Sequence, residues 1–232
     1  MAKSKLAIFK FNKTNFVHFT AKRNVSVNLN IGFNNNFISN SSYTKFLVVT
    51  MNNTLSCNNH IDLLMKRLSK ACYIIRNAQI YMSASSLKVI SYAFFHSAMC
   101  YGIIFWGNLL HSTITFRIEE NVIRIMEGCE NRVLCRNLCK KLQIVPLTSQ
   151  HTLFLLMFIV QNKTFFSTNY ENHNLDTRQR NSLYLPQANL TIYQKGAYYS
   201  RIKIFTVLPL EITNVAGNKK KIKLLSEKLL YT

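Results

Sequence analysis

The sequence predicts an α+β fold, a small antiparallel β unit followed by a mostly α-helical remainder. Two observations predict it. Apolar residues alternate with a period of two in several short runs up to Thr50, and from Ser56 onward they recur with a period near 3.6. A third observation sets the scale: of 232 residues, 48% are apolar, enough to build a real core and too many for a disordered chain.

The β unit is read from four runs. LAIFKF and FVHFT, interrupted by Asn12-Lys13-Thr14, give a strand over residues 6–20. Val25, Val27, Leu29 and Ile31 alternate with Ser26, Asn28 and Asn30. A turn over 32–36 precedes Phe37-Ile38, and YTKFLVVT (43–50) supplies further strand. Fifty residues of this kind are too few for a self-sufficient sheet domain, so the unit reads as the end of something larger.

The helices follow in order. Ser56 or Asn59 is placed to cap a helix from His60 to about Tyr81, with Ile61, Leu64, Leu68, Ala71, Cys72 and Ile75 as its apolar stripe. Lys66, Lys70, Tyr73 and Asn77 fall on another face, flanked by Arg67 and Arg76. Ser83 caps the next helix, which runs through Leu87, Ile90, Phe94 and Ala98 to Tyr101. A helix over 112–127 is expected to turn Ile114, Ile118, Val122 and Ile125 inward, with Arg117, Asn121 and Arg124 outward. A short helix over 132–142 is stopped by Pro146, and 148–162 reads as a strongly apolar helix. Residues 165–189 read as a long polar loop with one short strand, 193–205 as helical after Gly196, and 218–230 as a last amphipathic helix. The boundaries implied are 1–56 for the β unit, 57–145 for a first helical region and 146–232 for a second, with the polar loop inside it.

Charge narrows the function. Lys and Arg number 29 against 9 Asp and Glu, a net charge of +20. The excess runs through the whole chain: residues 1–61 hold seven basic residues and no acid. Nucleic-acid phosphate is the usual counter-charge for such a surface. No secretory leader pattern is visible, and no apolar run reaches the ~18–20 residues of a spanning helix, so an intracellular, cytoplasmic or nuclear protein without membrane partners is expected. In that setting the six N-x-[ST] sequons read as products of the high Asn content. The six cysteines contain no C-x-x-C pair, and Cys135 and Cys139 with Cys129 and His151 make a poor zinc set, so reduced thiols and no metal are expected.

Chemistry is sparse. The two Asp residues, Asp62 and Asp176, stand far apart, and no phosphate loop, H-E-x-x-H or G-x-S-x-G occurs. Asp62 is expected to serve a helix start and Asp176 to be solvated. Glu119, Glu120, Glu127 and Glu130 are expected on a helix with outward Arg partners, and His96 as a hydrogen-bonded core histidine.

Seven segments in order carry a resemblance: KTNFVHF (13–19), KFLVVTMNNTLSCNNHI (45–61), LLMKRLSKACYIIR (63–76), YAFFHSAMCYGIIFWG (92–107), TFRIEENVIRIMEG (115–128), CRNLCKKLQIVPLTSQ (135–150) and YQKGAYYSRIKIFTVLP (193–209). Together they resemble the C-terminal part of the reverse transcriptase of LINE-type, jockey-like non-LTR retrotransposons. The resemblance implies that residues 1–56 are a remnant of a polymerase palm, with motif D and the primer-grip hairpin, and that 57–145 are a thumb. It implies Lys13 as a relic of the motif D general acid. It also implies Lys45, Phe46, Leu47, Lys66, Arg67, Lys70, Tyr73 and Arg76 as contacts to RNA, DNA or an RNA–DNA duplex. The missing fingers and palm of a full-length polymerase are a further implied partner. The paired-metal carboxylates of that family have no counterpart here, so Mg²⁺ would serve only the full-length enzyme and this chain alone is expected not to extend a primer. The chain departs from the family at Val48, where Gly is usual, at Asn52 (Asp), at Cys57 (Trp) and at Arg201 (Gly). A decayed or co-opted basic nucleic-acid-binding module without polymerase role is the alternative. A membrane-surface protein using 219–230 is a third reading.

Overall fold

The computed structural model describes residues 14–20, 29–33, 36–108, 112–130, 132–174 and 176–208. It is mixed α+β and divides into two compact units, Met1–Leu63 and Leu64–Thr232. The division by packing therefore falls after Leu63, and residues on both sides of position 145 belong to the same unit.

Among the described residues of the first unit the strands are short and form three separate pairs. β1 (Asn15–Phe16) pairs with β4 (Ser39–Asn40), β2 (Gly32–Phe33) with β3 (Asn36–Phe37), and β5 (Tyr43–Phe46) with β6 (Val49–Asn52). The first pair is parallel, which corrects the expectation of an antiparallel unit there. The run YTKFLVVT is two strands and a two-residue turn. Lys45 faces Thr50 and Phe46 faces Val49 across the hairpin, with Leu47 and Val48 at its tip.

Helix α1 spans Asn58–Ala78. The Cys57 carbonyl accepts from the Ile61 N–H, so the chain enters the helix earlier than a cap at Asn59 would allow. Asp62 consequently lies beyond the first turn and is exposed, which removes the helix-start role expected of it. The stripe of α1 forms as its spacing predicts: Leu64, Leu68, Ala71 and Ile75 are buried.

The block from Ser83 to Trp106 is not one helix. Ser83 does cap α2 (Ala84–Ile90), its hydroxyl accepting from the Ser86 N–H. A π-helical turn, Ser91–His96, leads into α3 (Ser97–Cys100). Gly102 then takes φ +65°, a left-handed conformation costly for any residue with a Cβ, and α4 (Ile103–Trp106) starts in a new direction. The π turn has a local cause. Leu87, Ser91, Phe95 and Met99 are all buried and spaced by four. In a regular α-helix a spacing of four overshoots a full turn by about 40° each time, so a widened turn is what keeps these side chains on one face. His96 is buried, as expected of a core histidine. It stacks on Tyr92 at 4.8 Å, but neither ring nitrogen has a hydrogen-bond partner among the described residues.

Helix α5 (Ser112–Glu127) has the expected bounds and a different inward face. Ser112, Thr115, Glu119, Val122, Ile123 and Met126 are buried, while Ile114 is 43% exposed. Of the expected inward set only Val122 is fully buried. Glu119 is the reason. The N–H of Leu147, the first residue of α7 (Leu147–Gln161), donates to both Glu119 carboxylate oxygens at 3.1 and 3.0 Å. The preceding Pro146 provides no side-chain cap, so a buried N–H at this helix start takes its acceptor from α5. The expectation of four glutamates on one helix with outward Arg partners is thereby corrected at Glu119, and Glu130 lies beyond the end of α5. Glu120 does pair with Arg124 at 3.2 Å, but Glu127 pairs with Lys141 rather than an arginine.

α6 (Cys135–Leu142) packs on α5 and precedes α7, at 63° to it. α7 packs on α3, α4, α5 and α10 (Ala197–Val207) and buries Leu147, Leu155, Leu156 and Ile159. The 165–189 segment is more ordered than a polar loop. Thr168 opens a short helix, α8 (Asn169–His173), through a reciprocal cap with Glu171, and the chain returns so that Tyr184 N–H donates to Ser167. The T-x-x-E spacing at 168–171 was the signal for this helix. Asp176 pairs with Arg180 at 3.0 Å, both largely exposed. α9 (Thr191–Lys195) precedes α10, whose Ile202 packs with Ile159 and Phe166. Arg201 of α10 is buried, its guanidinium 3.6 Å from the centroid of the Phe158 ring. Such stacking contributes about 2 kcal/mol when desolvated, less than the several kcal/mol it costs to take a cation out of water.

Candidate nucleic-acid interface

The candidate contacts lie on two elements, each described by itself: the β5–β6 hairpin of the first unit, and the part of α1 from Leu64 onward, which belongs to the second. The first is the tip of the β5–β6 hairpin. Lys45 is exposed, and Phe46 and Leu47 are 63% and 69% exposed. Three apolar residues in succession at a tip, with Val48 also exposed, are held out by the turn rather than by burial. Leu47 and Val48 have φ of +43° and +72°. Two successive positive φ values are what a two-residue hairpin needs to match the strand twist. Asn and Gly adopt them readily, whereas a β-branched residue is a clear outlier there. Val48 thus keeps a left-handed turn that a glycine would adopt without strain. Val48→Gly should stabilise the chain by about 0.5–1 kcal/mol, the left-handed penalty relieved less the extra entropy of glycine in the unfolded state. Urea unfolding checks this with Val48→Ala as control, and equal midpoints for the two variants would place the strain elsewhere.

The second element is α1. Lys66, Arg67, Lys70, Tyr73 and Arg76 are all exposed, opposite the buried Leu64, Leu68, Ala71 and Ile75. The helix brings Lys66, Lys70 and Tyr73 onto one strip at i, i+4 and i+7, with Asn77 continuing it. No carboxylate among the described residues pairs with the four cations. Tyr73 stands 64% exposed among them, an aromatic face beside positive charge. Lys13, the motif D relic, lies outside the described residues, as does the lysine-rich segment over 219–230.

The remaining titratable groups are turned inward. Glu119 is pushed up to about 7, chiefly by burial, although the Leu147 N–H pulls the other way. Burial depresses His96 to about 4 and raises Cys100 to about 11. Cys139 is raised to about 12 by burial and then by Cys135 and the two glutamates. These thiols are poor nucleophiles, because the thiolate is the reactive form. The six cysteines are unpaired, and no cluster of three or more His, Cys, Asp or Glu among the described residues is arranged to hold a metal ion. Among the described residues no single helix is long and apolar enough to cross a membrane. Sequence reasoning missed the inward turn of Glu119, for which the uncapped helix start at Leu147 was the available signal.

Compared with known protein families, with curated proteins and with solved structures, the chain matches none.

Proposed function

We propose that this chain is the thumb-side portion of a LINE-type retrotransposon reverse transcriptase, and that by itself it holds nucleic acid by the backbone without reading sequence. The observation that carries this reading is the two-faced α1, with a buried apolar strip opposite an unneutralised basic strip. A helix of this kind fits along a phosphate chain, and phosphate contacts position a duplex without specifying its sequence. The net charge of +20 and the ordered run of resembling segments support the same reading.

Lys66→Ala combined with Lys70→Ala tests it. Affinity for two unrelated duplexes should fall equally, and the slope of log K against log salt should flatten by roughly two, about one for each phosphate left without its lysine. Stability should change by less than about 0.5 kcal/mol, because both side chains are exposed. Fluorescence anisotropy over a salt series reads both quantities. An unaltered slope would leave α1 as scaffold only.

A decayed or co-opted binding module is the second reading, and Val48 favours it. A strained valine where the resembled family has glycine is what drift leaves in a grip no longer selected for polymerisation. An upstream reading frame encoding an Ala-Asp-Asp turn would decide for the polymerase.

A further inference from the structure

The outward face of α1 carries more than charge. From Leu64 to Ala78 the helix has no acidic residue. Tyr73 stands exposed on its basic strip, with Lys70 one turn before it and Arg76 and Asn77 one turn after it, all exposed. Among the described residues its ring makes no aromatic or cation–π contact and its hydroxyl no hydrogen bond. Just past the helix end Tyr81 is 86% exposed. It sits in a turn fixed by the Ala78 carbonyl, which accepts from the Tyr81 and Met82 N–H groups at 3.1 and 3.0 Å. Burial does not explain two large aromatic rings left in water at these positions. Phosphates engage the cations and leave both rings unused. Aromatic faces set among cations that follow a phosphate chain are the arrangement on which unpaired bases stack. In a duplex the base faces are already covered by their neighbours, whereas a single strand offers them free.

We infer that the outer face of α1 is a site for single-stranded nucleic acid, with unpaired bases stacking on Tyr73 and Tyr81 while Lys66, Arg67, Lys70 and Arg76 hold the phosphates. This rests on the reading of α1 as a nucleic-acid-binding face and adds the form of nucleic acid that the face takes. Every base has a π face, so the site accepts any base. Stacking adds no phosphate contact, so it raises affinity without changing the dependence on salt.

The test titrates the full chain by fluorescence anisotropy with three labelled probes: oligo(dT), an abasic oligonucleotide of the same length, and a blunt duplex. The abasic strand keeps every phosphate and removes only the bases. Wild type should bind oligo(dT) more tightly than the abasic strand by at least about fivefold, the low end of what one stacked base contributes. Tyr73→Leu combined with Tyr81→Leu should erase that difference, with the salt slope and the duplex affinity unchanged. The corresponding pair of Phe variants, which keep the rings and lose the hydroxyls, should preserve it. Equal binding of oligo(dT) and the abasic strand by wild type overturns the stacking site, whether or not the variants fold. The charged face then still stands if Lys66→Ala with Lys70→Ala flattens the salt slope. Leu variants that keep the preference for oligo(dT), or that weaken all three probes alike, also overturn the stacking site. Wild type that binds none of the probes overturns the nucleic-acid reading of α1 as well.

Discussion

Replacing Gly107 by alanine is expected to destabilise the second unit by about 2–3 kcal/mol, the upper part of the range for overpacking. Gly107 ends α4 with φ −63° and ψ −23°, a conformation open to any residue, so its backbone gives no reason for glycine. The reason is space. A Cβ there would lie 2.6 Å from His151 Cδ2 and 2.7 Å from the Ile103 carbonyl oxygen. The histidine ring cannot simply step aside, being buried. The carbonyl is fixed as well, since it accepts the Gly107 N–H at 2.7 Å. Relief needs α4 to move relative to α7. Combining the variant with His151→Ala should recover part of the loss, and a double-mutant cycle measures how much. A Gly107→Ala chain as stable as wild type would mean that α4 yields freely.

The second large effect concerns pH. Glu119 is raised from 4.5 to about 7, so the folded state binds its proton more tightly than the unfolded chain does. The sign follows from linkage. Stability from this group is fully present below about pH 4.5 and is lost as pH rises through about 7. At 1.36 kcal/mol per pH unit the loss is about 3 kcal/mol in all. Glu119→Gln keeps an acceptor for the Leu147 N–H and carries no charge. Its unfolding free energy should therefore fall less than that of wild type between pH 5 and 8, by about 2–3 kcal/mol. Urea titrations at several pH values read the difference. Parallel profiles would show that Glu119 stays ionised throughout, with its carboxylate satisfied at the α7 start.

These two positions show where the sequence was legible. α1 could be read because its apolar and basic residues fall on cleanly separated strips, and burial alone selects its inward face. α5 could be bounded but not oriented. Its isoleucines at 114, 118 and 125 suggest one face, while the fold turns Ser112, Thr115 and Glu119 inward. Small residues allow close approach, and Glu119 answers a demand that arises only when α7 arrives. Hydrophobicity cannot report a hydrogen bond between residues 28 positions apart. The hairpin could be located and its turn could not, because Val48 is among the last residues expected at a positive φ. At the candidate interface the exposed strip of α1 followed from spacing, whereas the burial of Arg201 against Phe158, 43 positions earlier in sequence, arises only through the packing of α7 and α10.

The π turn at Ser91–His96 also sets how the chain tolerates changes in length. It holds one residue more than a regular helix needs between Leu87 and Met99. Removing Ala93, which is exposed, would bring the buried positions to spacings of four, three and four, the pattern a regular α-helix presents on one face. The turn can thus give up a residue while its inward side chains stay inward. The same deletion in the middle of α1 has no such reserve. It would rotate everything beyond it by about 100°, carrying Ala71 and Ile75 out of the core and driving charged neighbours in. One helix of this protein can be shortened by a residue without losing its face, and the other cannot.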